Sequence, residues 1–205
     1  IVLLAVLLPI LFLLPPVYIG AFFLLALLAA AWEWSRLLSP EATRAAWLYA
    51  LFCLAIILFL LGMQNVAWQF ALLLMAVIFW FFLAPFILAK GMNISLQSLR
   101  PFYVVLGLIL LPATWFALVF LRELGLVFLL STMALVWVAD IGAYFVGKAF
   151  GRLKLAAQIS PGKSIEGALG GLVLCYFYAF LCVVSLPLGD TLFGAWAIRF
   201  GWVPM

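Results

Sequence analysis

The residues able to do chemistry are concentrated in one stretch. Residues 140–167 read D-I-G-A-Y-F-V-G-K-A-F-G-R-L-K-L-A-A-Q-I-S-P-G-K-S-I-E-G and carry Asp140, Lys148, Arg152, Lys154, Lys163 and Glu166. The preceding run, residues 124–139, is uncharged. Asp140 is therefore expected within a membrane span or at its edge, where a carboxylate costs about 2.5–3.5 kcal/mol and usually faces a polar cavity or a partner. If the helix continues past Asp140, Tyr144 and Lys148 share its face. Gly142, Gly147 and Gly151 allow two readings, close helix packing or admission of a ligand to the backbone. Ser160-Pro161 has the form of a helix start, a Ser N-cap followed by Pro. The N–H groups of such a start, with Lys163 one turn in, would make an anion site. Arg152, Lys154 and Lys163 together could hold a polyphosphate, or could face anionic lipid headgroups. Glu166 suits the helix dipole and could equally serve a metal or a salt bridge.

Some chemistry is excluded. Gly162-Lys163-Ser164 matches the end of a P-loop, but that motif needs glycine at 157, where this chain has Ala157, and no strand is expected before it. There is no histidine, which removes imidazole catalysis and ligation. Cys53, Cys175 and Cys182 lie in apolar runs without CxxC spacing and read as buried small hydrophobes.

The elements that must position these groups are membrane helices. Of 205 residues, 71% are hydrophobic and 8% charged, and the mean hydropathy is +1.43. Soluble domains have about 25% charged residues. This composition excludes a soluble fold, disorder and nucleic-acid binding through a basic face. Apolar runs over 1–14, 17–35, 45–62, 66–89, 101–121, 124–147 and 165–186, with a partial one from 191, predict an all-α polytopic bundle of seven to eight spans. It reads as one membrane domain, 1–205, with 140–167 as a polar segment. Trp32, Trp34, Tyr49, Trp68, Trp80 and Tyr103 fall near span ends, as an aromatic belt would. Arg36, Arg44, Lys90, Arg100, Lys148, Arg152, Lys154 and Lys163 occupy alternate loops, against Arg122 alone in the others. That asymmetry predicts a cytoplasmic N-terminus and cytoplasmic basic loops. The first run has no basic n-region and no cleavage site, so it is not read as a signal peptide. The chain starts at Ile1 inside an apolar run and stops at Met205 after what looks like the first half of a span, so a fragment is expected.

An acidic group at a membrane edge beside a basic loop suits a Mg²⁺-dependent enzyme that joins a nucleotide to a lipid. It also suits a transporter or lipid translocase. The residues alone do not separate these; a scaffold would not need polar residues concentrated in one loop.

Asp140, Ala143, Tyr144, Gly147, Lys148, Phe150, Gly151 and Arg152, followed by Ile159, Ser160, Pro161, Lys163, Ser164, Glu166 and Gly167, closely resemble the phosphatidate cytidylyltransferases (CDP-diacylglycerol synthases). Trp32-Glu33-Trp34-Ser35-Arg36 is similar to that family's pattern after its second span. The chain departs from the family in lacking its C-terminal signature of Ser-x-x-Lys-Arg, Lys-Asp, His-Gly-Gly and Asp-Arg-x-x-Asp. The resemblance implies transfer of a cytidylyl group from CTP to phosphatidate, with Mg²⁺ as cofactor, in a bacterial inner membrane with the site facing the cytoplasm. Asp140, Lys163 and Glu166 would be catalytic, with Asp140 on the metal and Glu166 orienting Lys163 or a metal water. Lys148, Arg152 and Lys163 would contact phosphates, Ser160 would set the helix start, and Tyr144 and Ser164 would line the substrate site. CTP, phosphatidate and membrane lipids are the implied partners; a homodimer is compatible with this reading. The 205 residues alone are expected to be inactive.

Overall fold

The computed structural model describes residues 2–90, 99–156 and 160–201. Among them the helices are α1 (Val2–Leu13), α2 (Pro16–Leu38), α3 (Thr43–Gly62), α4 (Val66–Ile78), α5 (Ala84–Lys90), α6 (Arg100–Leu124), α7 (Leu126–Phe150), α8 (Ile165–Ser185) and α9 (Leu192–Arg199). A π turn at Phe79–Leu83 joins α4 to α5. Six segments are long and apolar enough to cross a membrane: α2, α3, Val66–Ile87, α6, α7 and α8. The protein is an all-α polytopic membrane protein. Its large side chains turn outward, as at Phe81 and Phe82, 74% and 73% exposed. In water that surface would be prohibitive; against hydrocarbon it is the expected one.

The chain gathers into two compact units, Ile1–Phe120 and Leu121–Met205. In the first, the buried positions of α2 are Ile19, Phe23, Leu27 and Ala31, and those of α3 are Ala46, Ala50, Cys53 and Ile57. Both sets recur every three or four residues, so each helix buries one stripe. The alanines let the backbones approach, which matters where lipid tails compete with apolar contacts. Pro15 precedes α2 and Pro16 occupies its first position, where a missing N–H costs nothing. Asn65 caps α4 by accepting the Ala67 N–H at 3.0 Å. Two aromatics expected in a belt are instead turned onto α6. Trp34 Nε1 donates to the Tyr103 carbonyl at 3.0 Å, and the Tyr49 hydroxyl donates to that of Val104 at 2.8 Å.

In the second unit α7 and α8 pack along their glycines, and the short α9 follows. Where the apolar pattern predicts the start of another span, Thr191 caps α9 by accepting the Gly194 N–H, and the helix ends at Arg199. Cys182 is buried, Cys175 partly so, and both are free thiols.

Two local expectations are corrected. The helix after the basic loop does not start at Ser160-Pro161. Residues 160–164 are extended, and Ser164 is the N-cap of α8. Pro161 fits the strand as well as a first turn, because its fixed φ is shared by both, whereas Ser164 has the extended backbone a cap requires. A strand also exists where none was expected: β1 (Lys154–Ala156) pairs antiparallel with β2 (Ser160–Ser164). Gly162-Lys163-Ser164 thus lies within a strand. Ala157 and Ile159 lie outside the described residues.

Candidate active site

Helix α7 runs through Asp140 to Phe150, so Asp140, Tyr144 and Lys148 do form one stripe, and all three are exposed. Lys148 Nζ lies 5.8 Å from the centre of the Tyr144 ring. At 1.5 Å rise per residue, Asp140 is about 12 Å along the axis from Lys148. A ligand touching both would have to lie along the helix.

The glycines of this region are packed. A Cβ on Gly167 would come within 2.8 Å of the Ala143 carbonyl, and one on Gly171 within 2.8 Å of that of Ala139. One on Gly142 would lie 2.7 Å from Leu174 Cδ1 and 3.1 Å from the Gly170 carbonyl. Gly147 faces Gly167 and the Ser164 hydroxyl. Of the two sequence readings of Gly142 and Gly147, close helix packing is the one realised.

Gly151 ends α7, its N–H donating to the Gly147 carbonyl at 3.0 Å. The chain then turns beside the start of α8. Arg152 N–H donates to Glu166 Oε2 at 3.1 Å, and Leu153 N–H is shared between Oε1 and Oε2 at 3.2 Å each. The Leu153 carbonyl accepts the Ile165 N–H at 2.9 Å. Glu166 therefore grips the backbone of the basic turn, where the sequence reading directed it to Lys163 or a metal water. Ser164 is 7% exposed and its Oγ accepts the Gly167 N–H at 3.1 Å. It sits under the end of α7 as a cap, not on an open substrate surface. Ser160 is half-buried at the start of β2, opposite Ala156.

The register pairs Lys154 with Ser164. The register shifts between Lys154 and Ala156, a bulge that interrupts the alternation of side chains along the hairpin. Arg152, Lys154 and Lys163 are all exposed.

For a cation, the described residues contain no group of three or more His, Cys, Asp or Glu able to hold it. Both Glu166 oxygens already accept N–H groups, which leaves Asp140 as the free carboxylate of the segment. A single carboxylate does not make a protein cage, but it fits Mg²⁺ shared with phosphate oxygens and water.

Residues 1–200 match the Cytidylyltransferase family. The chain belongs to this family. A phosphatidate cytidylyltransferase of Pseudomonas aeruginosa is 38% identical over 159 residues, 75% of this chain and 58% of the relative. One from Haemophilus influenzae is 54% identical over 59 residues, 29% of this chain and 20% of its own. One from Bacillus subtilis is 41% identical over 70 residues, 33% and 26% respectively. The matched segment thus spans little more than half the length of the Pseudomonas cytidylyltransferase. No solved structure matches.

Proposed function

We propose that this chain supplies part of the catalytic apparatus of a phosphatidate cytidylyltransferase, which converts CTP and phosphatidate to CDP-diacylglycerol and pyrophosphate. The observation that carries the reading is the family match over residues 1–200, with 38% identity to a relative of that name. The geometry is compatible with it. An acidic and a basic group lie on one exposed stripe of α7, which leads directly into a turn and hairpin bearing three further cations.

In this reaction a phosphate oxygen of phosphatidate attacks the α-phosphorus of CTP in line. The bond from that phosphorus to the bridging oxygen breaks, and pyrophosphate leaves with the electron pair. The protein has little covalent chemistry to do, so positioning and charge neutralisation dominate. Lys148, Arg152 and Lys163 bind and orient phosphate oxygens. Tyr144, beside Lys148, lines the nucleotide or lipid path. Asp140 is the residue that would hold Mg²⁺, which would supply neutralisation of the charge developing on the transferring and leaving groups. The basic loops support a cytoplasmic site in a bacterial inner membrane, where CTP is available and the lipid can enter from the bilayer.

The test is conversion of CTP and phosphatidate by the protein that carries this segment, in membranes with Mg²⁺. CDP-diacylglycerol and pyrophosphate should form in equal amounts. Asp140→Asn should lower turnover at least about a hundredfold while leaving membrane insertion intact. Near-normal turnover would remove Asp140 from the site, and solute flux without CTP consumption would favour a transporter.

A further inference from the structure

Glu166 is the one carboxylate of the segment with both oxygens engaged. Its partners are main-chain N–H groups of two successive residues across a turn, Arg152 and Leu153. We infer that Glu166 is a positioning residue that acts through Arg152: by fixing the backbone on both sides of the Arg152 Cα, it presets the guanidinium for the triphosphate of CTP. The inference rests on the reaction proposed above.

The backbone is anchored on both sides of Arg152. Gly151 N–H closes the last turn of α7, Arg152 and Leu153 N–H are held by Glu166, and the Leu153 carbonyl takes the Ile165 N–H. Beyond it Lys154 enters the strand pairing opposite Ser164. The Arg152 side chain, by contrast, is exposed. A fixed backbone bearing an exposed cationic side chain lowers the ordering cost of binding, because only the rotatable bonds of the side chain remain to be frozen. A carboxylate suits the task because it only accepts hydrogen bonds and offers two oxygens to adjacent donors. One detail separates this role from a charge role. Oε2 alone accepts from both Arg152 and Leu153, at 3.1 and 3.2 Å. Glutamine with its carbonyl oxygen in that place keeps an acceptor for both donors without the charge, and loses only the second acceptor of the Leu153 N–H. A metal ligand, or a counter-charge to the α8 dipole, would need the charge.

The experiment is CTP titration of the protein that carries this segment, in lipid nanodiscs with Mg²⁺, combined with amide exchange at Arg152 and Leu153. Glu166→Ala and Arg152→Ala should each weaken CTP binding about tenfold. The double variant should bind no worse than Arg152→Ala alone, because Glu166 acts through that side chain. Glu166→Gln should remain within about threefold of the unsubstituted chain, since one retained acceptor serves both donors. The two amides should exchange fast in Glu166→Ala and slowly in Glu166→Gln. A Gln variant as impaired as the Ala variant, additive losses in the double variant, or unchanged amide exchange in Glu166→Ala would each overturn the inference. Failure of the unsubstituted protein to bind CTP sinks the proposed reaction and the ligand of Arg152. Amide exchange judges the backbone anchoring separately.

Discussion

Ser164 and Glu166 stand two residues apart at the start of α8, and both hold main-chain N–H groups, but in different directions. Ser164 accepts within its own helix, from Gly167; Glu166 accepts across the junction, from the turn after α7. Loss of the first should affect folding more than ligand affinity. Ser164→Ala should cost about 1 kcal/mol of stability, seen as a lower thermal midpoint in detergent. The cap also carries position: its Oγ lies beside Gly147 and Gly151, so the start of α8 and the end of α7 are fixed against each other there. Asp140 differs from both in having no such anchoring among the described residues, which is the condition of a group left for a ligand.

At the scale of elements, α7 and α8 approach closely because Gly142 on one and Gly167, Gly170 and Gly171 on the other leave no side chains between the backbones. In a bilayer such contact is a main source of helix association, because lipid tails are as apolar as the helix surfaces. Gly171→Ala brings a methyl group within 2.8 Å of the Ala139 carbonyl, a main-chain atom that cannot swing aside. It should destabilise the pair by about 1–3 kcal/mol, measured by unfolding in mixed detergent. Gly62→Ala is the matched control: a Cβ there meets nothing within 4 Å, and the midpoint should hold or rise slightly, since alanine favours the helix. Because α7 carries Asp140 and α8 carries Glu166, loosening this pair should also weaken any ligand that depends on the hairpin between them.

Over the whole molecule, orientation relative to the membrane is a matter of charge placement. The turn holding Ser39 and the hairpin holding Lys154 follow basic helix ends, whereas the turn holding Gln64 carries no Lys or Arg. Ser39→Cys and Lys154→Cys should react with a membrane-impermeant thiol reagent from the cytoplasmic face, and Gln64→Cys from the other. Labelling of Ser39→Cys and Lys154→Cys from opposite faces would overturn the orientation. The native thiols add little background: Cys53 and Cys182 are buried in membrane helices and Cys175 is partly covered.

Much of this was legible in the sequence because a bilayer imposes strong rules on composition. Apolar length determines which segments span, and it placed α2 through α8 within a few residues. The 3.6-residue repeat put Asp140, Tyr144 and Lys148 on one stripe, since a helix that does not break has no other choice. The spacing of Gly142, Gly147 and Gly151 left helix packing and ligand admission both open, and packing against Gly167, Gly170 and Gly171 is what Gly142 and Gly147 realise. The basic turn was less legible. Ser160-Pro161 and Ser164 both satisfy local rules for a helix start, and the choice fell to Ser164 because the strand pairing of Lys154 with Ser164 keeps residues 160–164 extended. The inward turn of Trp34 and Tyr49 onto carbonyls of α6, and the grip of Glu166 on Arg152 and Leu153, join residues far apart in the chain or main-chain groups that carry no sequence signal. The sequence alone determined that this is a membrane-embedded helical chain with one polar segment, because burial in lipid leaves few alternatives. Only the tertiary structure decided which donors that segment leaves free, because hydrogen-bond partners depend on distances that no local pattern encodes.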